Sequence, residues 1–245
     1  MYYPHKPYIH KKLKILREGR AEATPHLYTM ERIRHPKTRE HLTVCLLETN
    51  TGFIGREKED MVDLDSIIQQ AAKDIDAHIL VAPEYSYDVG NRNTLRYAIM
   101  TAEEKERYVK RMLRVAPDKL LIPGTFVWKR EGFLYNSAFL LYGGEIIGEY
   151  GKMVDGGEIV KAYNSRLTWQ RGKHLGLFTW EKLHLGIEIC ADTGILAMKE
   201  IIDRDILFLI ACGVQNPGLK CLRTGGVGFV NDGYLPVVSA HCITP

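Results

Sequence analysis

The chain has 245 residues, 45% hydrophobic and 26% charged, an ordinary globular composition with room for one large α/β domain or two small ones. No apolar run is long enough to span a bilayer, and the N-terminus lacks the apolar centre of a secretory signal, so a soluble, cytoplasmic protein is expected, with non-classical export left open. The formal net charge is +3, yet residues 1–40 hold ten Lys/Arg against four Asp/Glu, a +6 arm before a remainder of −3.

Such an arm could meet an acidic partner, a membrane surface or nucleic acid. No nucleic-acid reader motif accompanies it, so the expectation is a basic N-terminal extension over 1–40, packed on a single domain over 41–245. Five cysteines, Cys45, Cys190, Cys212, Cys221 and Cys242, make an odd count. None forms a Cys-x-x-Cys pair and no Cys/His spacing suits zinc, so free thiols in a reducing compartment and no metal are expected.

In chain order, residues 1–40 show little sustained periodicity and are interrupted by Pro4, Pro7, Pro25 and Pro36. LTVCLLE (42–48) reads as a short apolar strand. In 59–74, Met61, Leu64, Ile67, Ile68 and Ala71 recur at three and four residues, the stripe of an amphipathic helix. AHILVAP (77–83) is an apolar run of the buried parallel-strand type, ended by Pro83. A second helix is expected over 101–114, with Thr101 as N-cap and Glu104 completing a capping box.

LLIPGTFVW (120–128) reads as a strand broken at Pro123-Gly124. FLYNSAFLLY (133–142) and EIIGEY (145–150) read as a hairpin turning at Gly143-Gly144. Residues 151–172 are a long polar loop, a place where function concentrates. GLFTW (176–180) and KLHLGIEIC (182–190) form another hairpin-like pair. A helix over about 195–203 and the strand DILFLIACG (205–213) complete a βαβ unit. PVVSAHCI (236–243) is the last strand-like run. The order implies an α/β domain with helices outside a mixed sheet.

Three side chains carry candidate chemistry. Cys190 ends an apolar strand just before a helix, where free backbone N–H groups could favour a thiolate and hold an oxyanion. Glu84 follows the buried strand ILVAP, at the end of a parallel strand, where α/β sheets place ligands. Lys152 lies just past the hairpin and could stabilise a thiolate or a developing oxyanion. Taken singly, each has an ordinary alternative: a buried core cysteine, a solvated glutamate, a surface lysine.

Their surroundings sharpen the reading. DAHILVAPE (76–84), YNSAFLLYGGEIIGEYGK (135–152) and GKHLGLFTWEKLHLGIEICAD (172–192), with weaker agreement in LTVCLLETN and NDGYLPVVSAH, resemble the carbon–nitrogen hydrolase (nitrilase) superfamily. Each motif is loose; the three together, in this order, are specific. The resemblance implies a four-layer α-β-β-α sandwich, a half-sandwich per subunit if two copies pair, here shortened at the C-terminus. It implies a Glu-Lys-Cys catalytic set, with Glu84 as general base, Lys152 as oxyanion stabiliser and Cys190 as nucleophile. Glu158 is the candidate for a second, positioning glutamate, and the Ala191 N–H for an oxyanion donor.

The implied activity is thiol-dependent hydrolysis of a non-peptide carbon–nitrogen bond, an amide in preference to a nitrile, through a Cys190 acyl-enzyme. No cofactor is implied; the partners are a small-molecule substrate and, as in many relatives, a second copy of the chain. Tyr85 and Gln215 are candidate substrate contacts at predicted strand ends. The chain departs from the family pattern at Gly151, where a large residue is common, and at Ala191-Asp192-Thr193-Gly194-Ile195, where an acidic–x–aromatic–Pro segment is common. Glu188 stands where a small or apolar residue is usual; it is expected either to bind a cationic substrate group or to pair with a core arginine or lysine.

Three other accounts compete. A Cys-His hydrolase would use His174, His184 or His241, although His184 lies six residues along the strand from Cys190, too far at about 3.3 Å per residue. An N-acyltransferase would pass the same acyl group to an amine. A non-catalytic relative would act as a binding module through the basic arm, with salt-sensitive affinity.

Overall fold

The computed structural model describes residues 10–13, 26–34, 41–47, 64–74, 76–84, 99–157, 166–212, 222–232 and 239–241. They form a mixed α/β structure with two sheets. The first sheet contains β1 (His10–Leu13), β2 (His26–Arg34), β3 (His41–Leu47), β4 (Ile79–Val81), β5 (Met100–Thr101), β6 (Leu120–Ile122), β7 (Thr125–Arg130), β8 (Phe133–Tyr142), β9 (Glu145–Gly151) and β10 (Thr168–Trp169). The second contains β11 (Leu177–Trp180), β12 (Leu183–Ile189), β13 (Arg204–Ala211), β14 (Leu222–Asp232) and β15 (Ser239–His241). The helices are α1 (Leu64–Asp74), α2 (Ala102–Met112) and α3 (Ile195–Met198).

The first sheet runs β1-β2-β3-β4-β6-β8-β7-β5, with β9 and β10 also paired to β8. Its centre, β3, β4 and β6, is parallel. The second runs β11-β12-β13-β14-β15, with β12, β13 and β14 parallel and the two edges antiparallel. Period-two alternation decides which face each residue takes. Leu42, Val44, Leu46, Ile79 and Val81 join Leu183, Leu185, Ile187, Ile189, Phe208 and Phe229 in one buried cluster drawn from both sheets. The opposite faces bury Cys45, Leu80 and Leu121 against Ile68 and Ala71 of α1 and Val109 and Met112 of α2. Leu207 and Leu209 pack with Leu196 of α3.

Local chemistry explains the element ends. The Thr101 hydroxyl accepts from Glu104 N–H at 3.2 Å and the Glu104 carboxylate accepts from Thr101 N–H at 2.7 Å, the capping box expected from sequence. Gly143 and Gly144 both take positive φ, 63° and 77°, which the tight turn between β8 and β9 demands. The helix expected over 195–203 is shorter. Glu200 adopts φ 59°, Ile201 N–H reaches Leu196 O at 3.0 Å and Glu200 N–H reaches Ala197 O at 2.9 Å, so the chain leaves the helix in a Schellman turn with a glutamate in the left-handed position.

Two further differences concern strands. Residues 28–34 pair antiparallel with β3 along the whole length of β3, so a stretch without visible periodicity holds a strand. Strand β14 was not expected; its parallel register with β13 shifts between Arg204 and Ile206.

Candidate functional site

The C-terminal ends of the parallel strands in the two sheets come together, the place where such sheets bind ligands. Glu84 N–H reaches Ala211 O, at the end of β13, at 3.4 Å, and the Asn231 side-chain N–H of β14 donates to Val81 O of β4 at 2.8 Å. These bonds tie the end of β4 to the ends of β13 and β14. Glu84 is wholly buried beside them.

Lys152 is delivered by the β8–β9 hairpin. Its N–H donates to Asn136 O at 2.8 Å, and its carbonyl accepts from Gly172 N–H at 3.0 Å. Gly151 is explained by the same contact: a Cβ on Gly172 would lie 1.9 Å from Gly151 O, and one on Gly151 would lie 3.1 Å from Gly172 Cα. Two glycines therefore let the backbones touch at this point. The Lys152 ammonium reaches Glu84 Oε1 at 2.8 Å with both side chains 0% exposed. The Asn136 amide donates to the same oxygen at 3.1 Å. A buried pair of this kind holds only because each charge is met and bonded.

Cys190 ends β12 and is half-buried. Its φ is 44°, in the left-handed region that non-glycine residues rarely adopt, and a 3-10 turn over Cys190–Asp192 follows at once. Its carbonyl accepts from Thr193 N–H at 3.0 Å and the Thr193 hydroxyl at 2.6 Å, which closes the turn. Its Sγ lies 3.9 Å from Cys212 O. Burial, and then the negative charge of Glu84, push the thiol up to about 11, with the Lys152 charge pulling the other way. The three groups thus share one electrostatic neighbourhood, in which burial and Glu84 favour the thiol and Lys152 favours the thiolate. Ala191, in the turn, is exposed.

Glu188 is met by backbone donors and not by the core arginine or lysine considered from sequence. Its carboxylate accepts from Gly194 N–H at 2.8 Å and Leu196 N–H at 2.9 Å, covering the free donors where α3 begins. Burial raises its carboxyl to about 6, against the lowering effect of those two bonds. It faces α3, with no lysine or arginine needed. Tyr85, Glu158 and Gln215 lie outside the described residues. Of the histidines proposed as bases, His174 is exposed and His184 lies on β12, its N–H bonded to Asp205 at 2.7 Å; the His241 side chain lies outside the described ones. Among the described residues no three His, Cys, Asp or Glu side chains are grouped as a metal would need, and no helix is long and apolar enough to cross a membrane.

Sequence reasoning missed Asn136 and Asp192. Asn136 shares a strand face with Ala138 and Leu140, which enter the core between the sheets, so a buried amide interrupting an apolar period-two face was the available signal. Asp192 is wholly buried two residues beyond Cys190 and binds the segment after Lys152.

No protein-family model matches the sequence, and no curated protein matches it. Solved structures do. A glutamine-dependent NAD+ synthetase from Acinetobacter baumannii, solved with ADP, is 23% identical over 69% of this chain and 32% of its own, with a TM-score of 0.50. A carbon–nitrogen hydrolase from Helicobacter pylori G27 is 16% identical over 73% of this chain and 69% of its own, with a TM-score of 0.51. The structural neighbours also include a CN-hydrolase superfamily protein from Xanthomonas campestris, 10% identical over 61% of this chain and 58% of its own, at a TM-score of 0.45. The chain thus spans about a third of the synthetase. At these identities the likeness establishes the fold.

Proposed function

We propose that the chain is a thiol-dependent hydrolase of a non-peptide carbon–nitrogen bond, acting through an acyl-enzyme on Cys190. The observation that carries the reading is the buried Glu84–Lys152 pair beside the half-buried Cys190 thiol. A core has no use for an unneeded ion pair, because desolvation cancels much of the attraction. One placed at the meeting of parallel strand ends, next to a strained thiol, has a chemical use. The likeness in fold to a carbon–nitrogen hydrolase agrees with it. The architecture that goes with the reading is a four-layer α-β-β-α sandwich, supported by one apolar cluster shared by the sheets and others beneath the helices.

The proposed steps balance as follows. Glu84 takes the Sγ proton as sulfur attacks the carbonyl carbon, which suits a thiol whose own acidity is weak. The Lys152 ammonium and the Ala191 N–H hold the oxygen of the tetrahedral species. Protonated Glu84 gives its proton to the departing nitrogen as the carbon–nitrogen bond breaks, leaving a thioester and ammonia or an amine. Water then loses a proton to Glu84 and attacks the thioester; the carbon–sulfur bond breaks to release a carboxylic acid, and Glu84 returns the proton to Cys190 Sγ, restoring the thiol and the free base. Asn136, donating to Glu84 Oε1, orients the base. An amide substrate is favoured over a nitrile because a structure of like fold is named as glutamine-dependent, and the glutamine side chain ends in a carboxamide.

The test is release of ammonia or amine from a panel of carboxamides. Wild-type protein turns over at least one of them, and Cys190→Ser and Glu84→Gln both abolish it. Turnover that survives Glu84→Gln contradicts the assignment of the base. Added amines that divert the product into a new amide would identify acyl transfer instead.

A further inference from the structure

The reaction needs two segments to hold one geometry: the turn carrying Cys190 and the stretch carrying Lys152. A buried carboxylate joins them. Asp192 lies in the 3-10 turn and is 0% exposed. Its Oδ1 accepts from Val154 N–H at 2.8 Å, and Met153 N–H lies 3.1 Å from Oδ1 and 3.0 Å from Oδ2. Its Oδ2 also accepts from the Tyr150 hydroxyl at 2.7 Å. The donors sit on both sides of Lys152 in the chain.

Hydrogen bonds to a charged group are the strong ones. The turn has need of them. A non-glycine residue at positive φ, such as Cys190 at 44°, is strained and persists only where its surroundings fix it. On the other flank, Glu188 holds Gly194 and Leu196. Burial raises the Asp192 carboxyl, while the bonds from Met153, Tyr150 and Val154 and the Lys152 charge oppose the rise.

We propose that Asp192 is a positioning residue whose carboxylate clamps the Lys152 segment to the Cys190 turn and so fixes the ammonium beside the thiol. The proposal rests on the reading of Cys190 as nucleophile and Lys152 as its cation. It makes a prediction of sign. If Asp192 acted only through its charge, neutralising it would remove a nearby anion and make the thiolate easier to form. If it acts by holding Lys152, neutralising it lets the cation drift and makes the thiolate harder to form. The charged groups that bear on Cys190 are Glu84 and Lys152; Glu188, on the same strand, is turned to α3.

The test is the rate of Cys190 alkylation by iodoacetamide as a function of pH, located by peptide mass spectrometry in the full chain. Wild type is compared with Asp192→Asn, Tyr150→Phe and Glu84→Gln, and thermal unfolding confirms that each is folded. The clamp predicts that Asp192→Asn raises the apparent pKa of Cys190 by about one unit, slowing alkylation about tenfold near pH 8. Tyr150→Phe, which removes one donor, slows it less. Unchanged or faster alkylation in folded Asp192→Asn overturns the clamp. If Asp192→Asn does not fold, Tyr150→Phe decides alone: slower alkylation supports the clamp, and unchanged or faster alkylation overturns it. Glu84→Gln separates this idea from the reading beneath it, since removing the carboxylate beside the thiol should speed alkylation. If Glu84→Gln has no effect, the reading of the site fails; if it has its effect and the Asp192 and Tyr150 variants have none, only the clamp fails.

Discussion

Removing Lys152 tests how the site is held together. The ammonium lies 2.8 Å from Glu84 Oε1 with both side chains sealed from solvent. At an effective dielectric of about 20 that separation corresponds to roughly 6 kcal/mol of attraction before desolvation is subtracted. Desolvation removes much of it, so the pair adds little net stability relative to a well-packed apolar pair. Removing one partner is different, because it strands the other charge in a dry interior at about 3–5 kcal/mol. Lys152→Met keeps most of the side-chain volume, so the loss is of charge rather than of packing. The expected result in urea unfolding, followed by circular dichroism at neutral pH, is a loss of about 3–5 kcal/mol and a melting temperature lower by about 10 °C for a chain of this size. The double variant Lys152→Met with Glu84→Gln removes both charges and should be more stable than Lys152→Met alone by at least about 1 kcal/mol. A loss below about 1 kcal/mol in the single variant would mean that the pair behaves like a solvated surface contact, and would refute the reasoning.

Other perturbations follow from the same geometry. Asn136→Ala removes a donor to the Glu84 carboxylate and should cost about 2 kcal/mol in urea unfolding; no loss would mean that another donor takes its place. Thr101→Ala dismantles the capping box of α2 and should cost about 1 kcal/mol, measured the same way. Glu188 supplies a pH signature. Its folded-state value is raised from 4.5 to about 6, so the stability it contributes is present below about pH 4.5 and fades as pH rises through about 6. The stability of wild type relative to Glu188→Gln should therefore fall by about 2 kcal/mol across that window. A difference that is flat or grows with pH would contradict the assignment.

The sequence revealed the elements whose signals are local. The capping box at Thr101, the break at Pro123-Gly124 and the glycine turn at 143–144 rest on nearest-neighbour chemistry, and the structure has all three. Strand β14 was hidden because LRTGGVGFVND carries three glycines, which weaken any strand signal. Gly226 is required by packing: a Cβ there would meet Arg204 O at 2.7 Å. Helix α3 ends early in a Schellman turn that puts Glu200 in the left-handed region, a position the sequence marks with no glycine.

Motif order singled out Glu84, Lys152 and Cys190, and the structure brings Lys152 onto Glu84 with Cys190 in their electrostatic neighbourhood. Which groups support them was not legible. Asn136 and Asp192 act across 52 and 39 residues of chain, on Glu84 and on Met153, and no periodicity reports such a contact. For Glu188 a buried acid suggests a core cation, whereas here two backbone N–H groups meet it.

The most direct measurement is the intact mass of the protein, quenched in acid during turnover of a carboxamide. The account predicts an added acyl mass on Cys190 that hydroxylamine removes and that is absent in Cys190→Ser. Steady turnover with the acyl group on another residue, or turnover persisting in Cys190→Ser, would contradict it.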